Sequence, residues 1–220
     1  MMKSAEITGV FKDRNKIFTE NLSSSKGIKV YNERLVRYKN KELRSWNPYR
    51  SKLGTAILKG LVFDIKSDSN VLYLGAATGT TVSHFSDIVK DGIVYAVESS
   101  PVAINDLIQV SEKRKNIIPI LNDANHPDRY SYLVSSVDFI YQDISQRNQA
   151  EIFISNIDRY LQKNAFGILM VKARSIDVSL KPEKAYEIVC DKLEERGLKI
   201  KKIVDLAPYE KDHAAIMITV

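Results

Sequence analysis

Short apolar runs alternate with amphipathic segments from Asn70 onward. The runs lie at 71–75, 93–97, 117–121, 137–141 and 166–171. The segments between them, such as "PVAINDLIQVSEKR" and "QAEIFISNIDRYLQK", place apolar residues at helical spacing. Because strands of this length joined by helices form parallel sheets with both faces covered, the pattern predicts an α/β fold.

The end of the chain departs from this alternation. Two strand candidates, 198–206 and 214–220, follow a predicted helix over 181–196 that has Pro182 near its start and Gly197 after its end. The loop between the two strands has no helical pattern, so the strands must be antiparallel. We expect a seven-stranded, mostly parallel sheet with an antiparallel C-terminal hairpin, a layout that resembles the class I Rossmann-like methyltransferases.

The first quarter of the chain has a different pattern. The segment "KLGTAILKGLVFDI" at 52–65 predicts an amphipathic helix that leads into the first strand of the sheet. Before it, the β-compatible pieces "ITGVFK", "KIFTEN" and "IKVYNERLVRYK" are separated by Ser, Gly and Asn residues. This change predicts a small, mostly antiparallel β domain at 1–50 and a larger α/β domain at 51–220, which the resemblance of its layout implies is a methyltransferase domain.

Positive charge is concentrated in that first quarter. The chain has a formal net charge of +6, and residues 1–52 carry 13 Lys and Arg against 5 Asp and Glu. The asymmetry indicates a polyanionic partner or an acidic protein on that part of the surface. A solvated basic face that keeps the protein soluble is the alternative.

Cellular environment is indicated by two further features. Cys190 is the only cysteine, and its helical apolar position predicts a buried thiol with a structural role rather than a nucleophile. No apolar run approaches the roughly 18 residues that span a bilayer. We therefore expect a cytoplasmic protein without a membrane partner.

The loop "GAATGTT" after the first strand of the sheet predicts a cofactor site. Gly75 and Gly79 allow close backbone approach, but the loop lacks the third glycine of a dinucleotide fingerprint and the lysine of a P-loop. A loop with no pyrophosphate to hold favours S-adenosyl-L-methionine. The methionine carboxylate of this cofactor can accept hydrogen bonds from free N–H groups at the helix start and from the Thr80 and Thr81 hydroxyls.

Acidic residues end the next three strands. Glu98 can accept hydrogen bonds from ribose hydroxyls, Asp123 can accept one from the adenine amino group, and Asp143 follows the fourth strand. Parallel strands of one sheet end at the same edge, so the three carboxylates are expected to converge. Capping of the helices that follow is the alternative for Glu98 and Asp123.

A possible general base follows the fifth strand. Lys172 is expected beside Asp143 and close to a sulfonium, where its neutral form could take a proton from a hydroxyl. Asp143 would orient the amine and balance charge, Lys52 could lie across the same opening, and His213 would face its rim. A structural Lys–Asp pair and a surface role for Lys52 are the alternatives. His84 is expected to pack or cap, His126 to cap, and no cluster has metal-ligand spacing.

Several motifs together resemble archaeal fibrillarins, a family of rRNA/tRNA 2′-O-methyltransferases. They are "WNPYRSKLGTAI", "VLYLGAATGTTVSH", "GIVYAVE", "NIIPILNDAN", "IYQDISQRNQAEIF", "VKARSID" and "PYEKDHA". The resemblance implies a catalytic subunit of a box C/D ribonucleoprotein. Its expected partners are a guide RNA with its rRNA or tRNA target, a Nop-domain scaffold protein and a kink-turn-binding ribosomal-type protein.

The resemblance also implies residue roles. The catalytic set is Lys52, Asp143 and Lys172, with His213 where relatives often have a glutamate. The cofactor contacts are Thr80, Thr81, Glu98, Ser99, Asp123, Ala124, Asp143, Ile144, Ser145 and Gln146, beside Gly75 and Gly79. The residues expected to contact RNA or the scaffold protein are Arg34, Arg37, Lys39, Lys41, Arg44, Arg50 and Lys52, interleaved with Tyr38, Trp46 and Tyr49.

Two other functions remain open from the sequence. The chain could be a structural subunit of the ribonucleoprotein with an idle site, although such a subunit has no physical need for these acidic and lysine side chains. It could also be a protein or small-molecule methyltransferase of the same fold. An amine nucleophile does not need the Asp–Lys pair, whereas a ribose hydroxyl does.

Overall fold

A computed structural model describes residues 2–220. The first part of the chain forms an antiparallel sheet with strand order β1-β2-β3-β5-β4. Its strands are β1 Lys3–Ser4, β2 Val10–Asp13, β3 Lys16–Glu20, β4 Leu35–Tyr38 and β5 Lys41–Trp46. The predicted small antiparallel module is therefore confirmed. The piece predicted at 28–39 contributes only its last third as a strand, and β5 was not predicted.

The second sheet has seven strands in the order β11-β12-β10-β9-β6-β7-β8. The strands are β6 Val71–Leu74, β7 Val94–Glu98, β8 Ile117–Leu121, β9 Val137–Gln142, β10 Leu161–Lys172, β11 Lys199–Asp205 and β12 His213–Thr219. Strands β6 to β10 pair in parallel, whereas β12 pairs antiparallel with both β10 and β11. The predicted mostly parallel sheet with an antiparallel hairpin is confirmed.

Helices connect these strands. They are α1 Lys52–Leu58, α2 Thr80–Ile88, α3 Pro101–Lys113, α4 Gln149–Tyr160, α5 Ala173–Ile176 and α6 Pro182–Glu195. Gly197 follows α6 with a φ of 88°, as the predicted helix end requires. Within residues 2–220, no helix is both long enough and apolar enough to cross a membrane.

The helix predicted over 52–65 is too long. Helix α1 ends at Leu58, and Gly60 adopts a left-handed φ of 92°. The N–H of Gly60 donates to the Ile57 carbonyl and that of Leu61 to the Ala56 carbonyl, the pair of bonds that closes a helix at such a glycine. Beyond it the chain is extended and buries alternate apolar side chains, which are Leu61, Phe63 and Ile65.

Two apolar cores lie on the two faces of the large sheet. One contains side chains of α1, α2 and α3, and it also includes Val10, Ile17 and Trp46 from the N-terminal sheet and Ile7 from the turn between β1 and β2. The other lies under α4 and α6 and contains Cys190, whose predicted burial is confirmed. Because one continuous core joins the N-terminal sheet to the first face, the two sheets hold each other in place.

Buried charges complete this junction. Glu33, Arg44, Asp87 and Arg114, which we call the seam cluster, are 5% exposed or less. Arg44 donates to Glu33 at 2.6 Å and to Asp87 at 2.8 Å, and Arg114 donates to the other Asp87 oxygen at 2.5 Å. Arg44 lies on β5 and Glu33 in the loop before β4. Asp87 lies on α2, and Arg114 is the residue that follows α3. The seam cluster therefore joins the two parts of the chain through paired charges.

Candidate active site

Four polar side chains meet at the carboxyl edge of the large sheet. Asp143, Lys172 and His213 continue the residue alternation of β9, β10 and β12 that faces the first core. Lys52 begins α1, which packs on that same face. These four residues, called the mouth cluster below, therefore lie on one side of the sheet at the edge where ligands bind in such folds.

An ion pair joins two members of the mouth cluster. The Lys52 Nζ donates to both carboxylate oxygens of Asp143, at 2.8 and 3.0 Å, and the two side chains are 22% and 20% exposed. Ser51 sets the start of α1, since its hydroxyl accepts the N–H of Gly54 at 3.1 Å. The sequence places Lys52 at this opening correctly, but it does not reveal that Lys52 is the partner of Asp143.

Lys172 and His213 face each other across the β10–β12 ladder. The Ala173 N–H donates to the Asp212 carbonyl at 3.0 Å, so Ala173 and Asp212 form a hydrogen-bonded pair of the ladder. Lys172 and His213 are therefore a non-hydrogen-bonded pair, in which the two side chains are closer together. Within residues 2–220, no ion pair joins Lys172 to Asp143, so the expected orienting contact is replaced by the Lys52–Asp143 pair. His213 Nδ1 lies 2.7 Å from the Lys211 carbonyl oxygen.

A buried glutamine fixes the backbone of Lys172. Strand β9 ends at Gln142, and β10 runs three residues past the partner of Gln142. The Gln149 side chain makes the hydrogen bonds to Lys172 that a longer β9 would make. Its Oε1 accepts the Lys172 N–H at 3.0 Å, and its Nε2 donates to the Lys172 carbonyl at 3.2 Å. Gln149 begins α4 and is fully buried. Sequence reasoning missed this residue, because its partner is far away in the chain.

The glycine loop after β6 is tightly fitted. Gly75 has a φ of 82°, and a Cβ added there would lie 2.4 Å from the Asp143 carbonyl oxygen. Gly79 has a φ of 91° and precedes α2 without a side-chain cap. The first N–H groups of α2 are thus available to a carboxylate at a helix end that favours negative charge.

The two threonines at the start of α2 differ in their surroundings. Thr81 is 7% exposed, and its hydroxyl donates to the Ser51 hydroxyl at 2.9 Å. Thr80 is half-buried beside the loop. The Thr81 hydroxyl therefore connects α2 to the residue that caps α1, and the Thr81 N–H is one of the first N–H groups of α2, which have no acceptor within the helix.

Glu98 connects the glycine loop to the next strand end. One carboxylate oxygen accepts the Ala77 N–H at 2.8 Å, and the other accepts the Ser100 N–H at 2.7 Å. Each oxygen retains a lone pair for a further donor, such as a ribose hydroxyl. Ser99, also predicted to contact the cofactor, is exposed next to it.

Asp123 and Gln146 are joined through Asn125. An Asp123 oxygen accepts the Asn125 N–H and its side-chain amide, both at 2.9 Å, and that amide also donates to Gln146 Oε1 at 2.8 Å. These hydrogen bonds, the backbone one first, lower the pKa of the Asp123 carboxyl. Asn125 was not predicted, although it stands two positions after Asp123 where such a turn forms. The remaining predicted contacts, Ala124, Ile144 and Ser145, lie in the same two loops.

Two residues predicted to contact RNA or protein are wrongly assigned. Arg44 is fully buried in the seam cluster, and Trp46 is 1% exposed and stacks on His84 with ring centres 4.5 Å apart. His84 is itself fully buried, which confirms its predicted packing role. His126 occupies the position before a short 3₁₀ turn, but its side chain does not cap it.

Known proteins with similar sequences and structures identify the family. A family model described as fibrillarin matches residues 1–220. The fibrillarin-like rRNA/tRNA 2′-O-methyltransferase of Methanothermobacter thermautotrophicus is 47% identical over 211 residues, covering 96% of this chain and 93% of the relative. The chain belongs to the fibrillarin family.

Solved structures agree with this membership of the fibrillarin family. Aeropyrum pernix fibrillarin, solved with natively bound S-adenosyl-L-methionine, superposes with a TM-score of 0.88 at 39% identity, covering 100% of this chain and 98% of that one. The fibrillarin chain of a fibrillarin/Nop5p complex superposes with a TM-score of 0.90 at 41% identity, covering 99% of each chain.

Proposed function

We propose that this fibrillarin-family chain uses S-adenosyl-L-methionine to methylate ribose 2′-hydroxyls of rRNA and tRNA at sites chosen by a box C/D guide RNA. The observation that carries the proposal is the mouth cluster. A paired lysine and carboxylate and a second, unpaired lysine stand together beside a glycine loop. Within residues 2–220, no carboxylate pairs with Lys172, so its amine is available to a substrate hydroxyl.

The loops at the sheet edge fit the cofactor. Gly75 and Gly79 adopt left-handed φ angles of 82° and 91°, which lets the loop turn tightly beside the sheet edge, and the start of α2 offers N–H groups to a carboxylate. Glu98 has lone pairs for ribose hydroxyls, and Asp123 has one free carboxylate oxygen for an amino group. When bound, S-adenosyl-L-methionine supplies an activated methyl group.

In the proposed reaction, residues of the mouth cluster remove the proton of the ribose 2′-hydroxyl. Lys172 accepts the proton of the 2′-hydroxyl, which makes the ribose oxygen a better nucleophile. Gln149 holds the Lys172 backbone, so the amine starts from a fixed position. Asp143 supplies negative charge beside the reacting groups, and Lys52 keeps that carboxylate in place. His213 lies across from Lys172 and completes the rim.

The proposed partners follow from the same function. We assign the basic first part, residues 1–50, to docking and residues 51–220 to catalysis. A Nop-domain scaffold protein is supported by the similarity to the fibrillarin of the fibrillarin/Nop5p complex. A guide RNA and a kink-turn-binding protein complete the proposed particle.

Reconstitution tests this function. The chain is combined with a Nop-domain protein, a kink-turn-binding protein and a guide RNA, and 2′-O-methylation of the target is mapped nucleotide by nucleotide. We expect one methylated position, which moves when the guide sequence is changed. Methylation at a position that does not change with the guide sequence would contradict the proposal. Absence of methylation with every guide would also contradict it and would favour a structural subunit.

A further inference from the structure

The loop that follows β8 leaves one backbone donor open. In this segment, residues 122–126, which we call the β8 loop, four N–H groups have acceptors at 2.9 or 3.0 Å, and they belong to Asn122, Asp123, Asn125 and His126. Among residues 2–220, nothing accepts the N–H of Ala124, and nothing donates to Oδ2 of Asp123. A backbone donor and a carboxylate acceptor are therefore open at neighbouring positions of the β8 loop.

This pair of open groups matches one edge of an adenine ring. The adenine amino group can donate to Oδ2 of Asp123, and the ring nitrogen N1 can accept the N–H of Ala124. Hypoxanthine has an oxygen in place of the amino group and a proton on N1, so both of its groups would meet a group of the same kind. A site built on such hydrogen bonds rejects the wrong base, because its own polar groups are left without partners.

A buried asparagine holds the β8 loop from the inside of the protein. Asn156 lies on α4 and is fully buried, and its Nδ2 donates to the Ala124 carbonyl at 2.9 Å. The N–H of the same peptide group belongs to Asn125, and it donates to Oδ1 of Asp123 at 2.9 Å. The peptide group between Ala124 and Asn125 is thus fixed at both ends. Ala124 is only 7% exposed, so a carbonyl that lost this donor would be poorly solvated.

The partners of Asn156 determine how its amide is turned. Nδ2 also donates to the Ile152 carbonyl, one turn earlier in α4, at 2.8 Å, and Oδ1 accepts the hydroxyl of Tyr130. Tyr130 ends the 3₁₀ turn Pro127–Tyr130 and is fully buried. A reversed amide would place its oxygen against two carbonyl oxygens. Asn156 therefore has one favourable arrangement, in which the amide nitrogen faces Ala124.

Helix α4 carries a second buried amide with a similar action. Gln149 and Asn156 are seven residues apart, which is about two helical turns, so they lie on the same side of α4. Both are fully buried. Gln149 holds the backbone of Lys172, whereas Asn156 holds the backbone of Ala124. One helix thus fixes the residue proposed to accept the proton and the loop proposed to meet the cofactor.

We propose that Asn156 is a positioning residue that makes the cofactor site selective for adenine. By holding the Ala124 carbonyl, it keeps the Ala124 N–H and Oδ2 of Asp123 side by side. The inference rests on the proposed function, in which Asp123 faces the amino group of S-adenosyl-L-methionine. If Asn156 only satisfied buried polar groups, its loss would weaken the binding of any base to the same extent.

Calorimetric titration of the full chain with S-adenosyl-L-homocysteine and S-inosyl-L-homocysteine tests this selectivity. The unsubstituted chain should bind the adenine compound at least about a hundredfold more tightly. In Asn156→Ser, the serine hydroxyl can still donate to the Ile152 carbonyl within α4 but is too short to reach Ala124. We expect the preference for adenine to fall about tenfold in this variant.

Tyr160→Phe is the matched control. Tyr160 also lies on α4 and is 4% exposed, and its hydroxyl donates to the Pro127 carbonyl. The variant loses a hydrogen bond at the same interface without touching Ala124, so its preference for adenine should stay within about twofold. Tyr130→Phe is a second test that keeps the ring. It removes the hydroxyl that orients Asn156, and the preference should fall about threefold.

Two results would overturn the role of Asn156. One is an Asn156→Ser chain that loses affinity for both compounds by the same factor. The other is an unchanged preference in Tyr130→Phe together with an unchanged preference, or failure to fold, in Asn156→Ser.

Asp123→Asn separates this inference from the proposed function. Its amide can donate to the hypoxanthine oxygen, so the preference for adenine should fall sharply. An unchanged preference would place the base elsewhere and overturn the inference along with the proposed cofactor contacts. Guided methylation by the reconstituted particle is an independent readout. Its failure in a chain that still prefers adenine would contradict the proposed function and leave the role of Asn156 intact.

Discussion

The seam cluster and the mouth cluster both combine basic side chains with carboxylates, but their surroundings and their roles are opposite. In the seam cluster, Arg44 and Arg114 share Asp87, and each charged group is almost completely buried. In the mouth cluster, Lys52 and Asp143 are about one fifth exposed, and among residues 2–220 no side chain pairs with Lys172. The first set satisfies every charge internally, whereas the second leaves an amine free.

This difference separates stability from chemistry. Removing one partner from a buried ion network leaves an uncompensated charge in a medium that cannot solvate it. Removing a partially exposed charge costs little stability, because water replaces the lost partner. Substitutions in the seam cluster should therefore lower the free energy of unfolding, and those in the mouth cluster should lower the reaction rate.

The largest effect is expected from Asp143→Asn. The substitution removes the charge that holds Lys52, so methyl transfer should fall by roughly a hundredfold to ten-thousandfold, the usual range for acid–base groups. Single-turnover transfer in the reconstituted particle measures the rate. Thermal unfolding should be nearly unchanged, and a large loss of stability would show that Asp143 belongs with the structural charges.

Arg44→Met is expected to act in the opposite way. It leaves Glu33 buried without its main partner and Asp87 with one fewer, at a cost of about 3–5 kcal/mol. For a chain of this length the melting temperature should fall by roughly 10 °C. Calorimetry measures the shift, and Lys41→Met, which breaks an exposed pair with Glu20, is the control with about 1 kcal/mol or less.

Gln149→Met tests whether the fixed position of the Lys172 backbone contributes to the rate of methyl transfer. It keeps the length of the side chain but removes both hydrogen bonds to the Lys172 backbone, so the maximal rate should fall by about tenfold to a hundredfold. Gln149 also donates to the Gln146 carbonyl at 3.1 Å, so the KM for S-adenosyl-L-methionine is measured in the same experiment. Gln162→Met, an exposed change on the same strand β10, should have no effect. Equal losses in both variants would argue against a positioning role for Gln149.

The smallest effect is the dependence of the free energy of unfolding on pH, which we assign to His84 beside the seam cluster. Burial, followed by the nearby Arg44 and Arg114 charges, lowers the pKa of His84 well below its usual value. The folded chain keeps this imidazole neutral, while the unfolded chain binds a proton below about pH 6.5, so stability should fall as the pH decreases through that value. The expected slope is at most about 1.4 kcal/mol per pH unit.

Denaturant unfolding between pH 7.5 and 5.5 measures that slope. His84→Gln should flatten it, whereas His126→Gln, at an exposed position, should not. A slope that survives in His84→Gln would assign the pH dependence to other groups.

The large sheet could be predicted because its signal is local. Each strand is a short apolar run, and parallel topology brings the strand ends to one edge, which places Glu98, Asp123, Asp143 and Lys172 together. The correct end of α1 could also have been predicted from the sequence. Gly60 and the alternation of Leu61, Phe63 and Ile65 indicate a change from helix to extended chain.

The assignments that failed depend on contacts between distant parts of the chain. Arg44 resembles its exposed neighbour Lys41 in sequence, and only the packing of α2 against the N-terminal sheet buries it. Lys52 and Asp143 are separated by 91 positions, so their pairing has no local signal. Gln149 is missed for the same reason, because its amide acts on a backbone that arrives 23 residues later.

The central claim is that the unpaired amine of Lys172 accepts the proton of the ribose hydroxyl. Single-turnover methyl transfer by the reconstituted particle carrying Lys172→Ala tests it most directly, with S-adenosyl-L-methionine binding measured on the same preparation. We predict a rate at least about a hundredfold lower and unchanged cofactor affinity. A Lys172→Ala particle that transfers methyl groups within about twofold of the unsubstituted rate would contradict the claim.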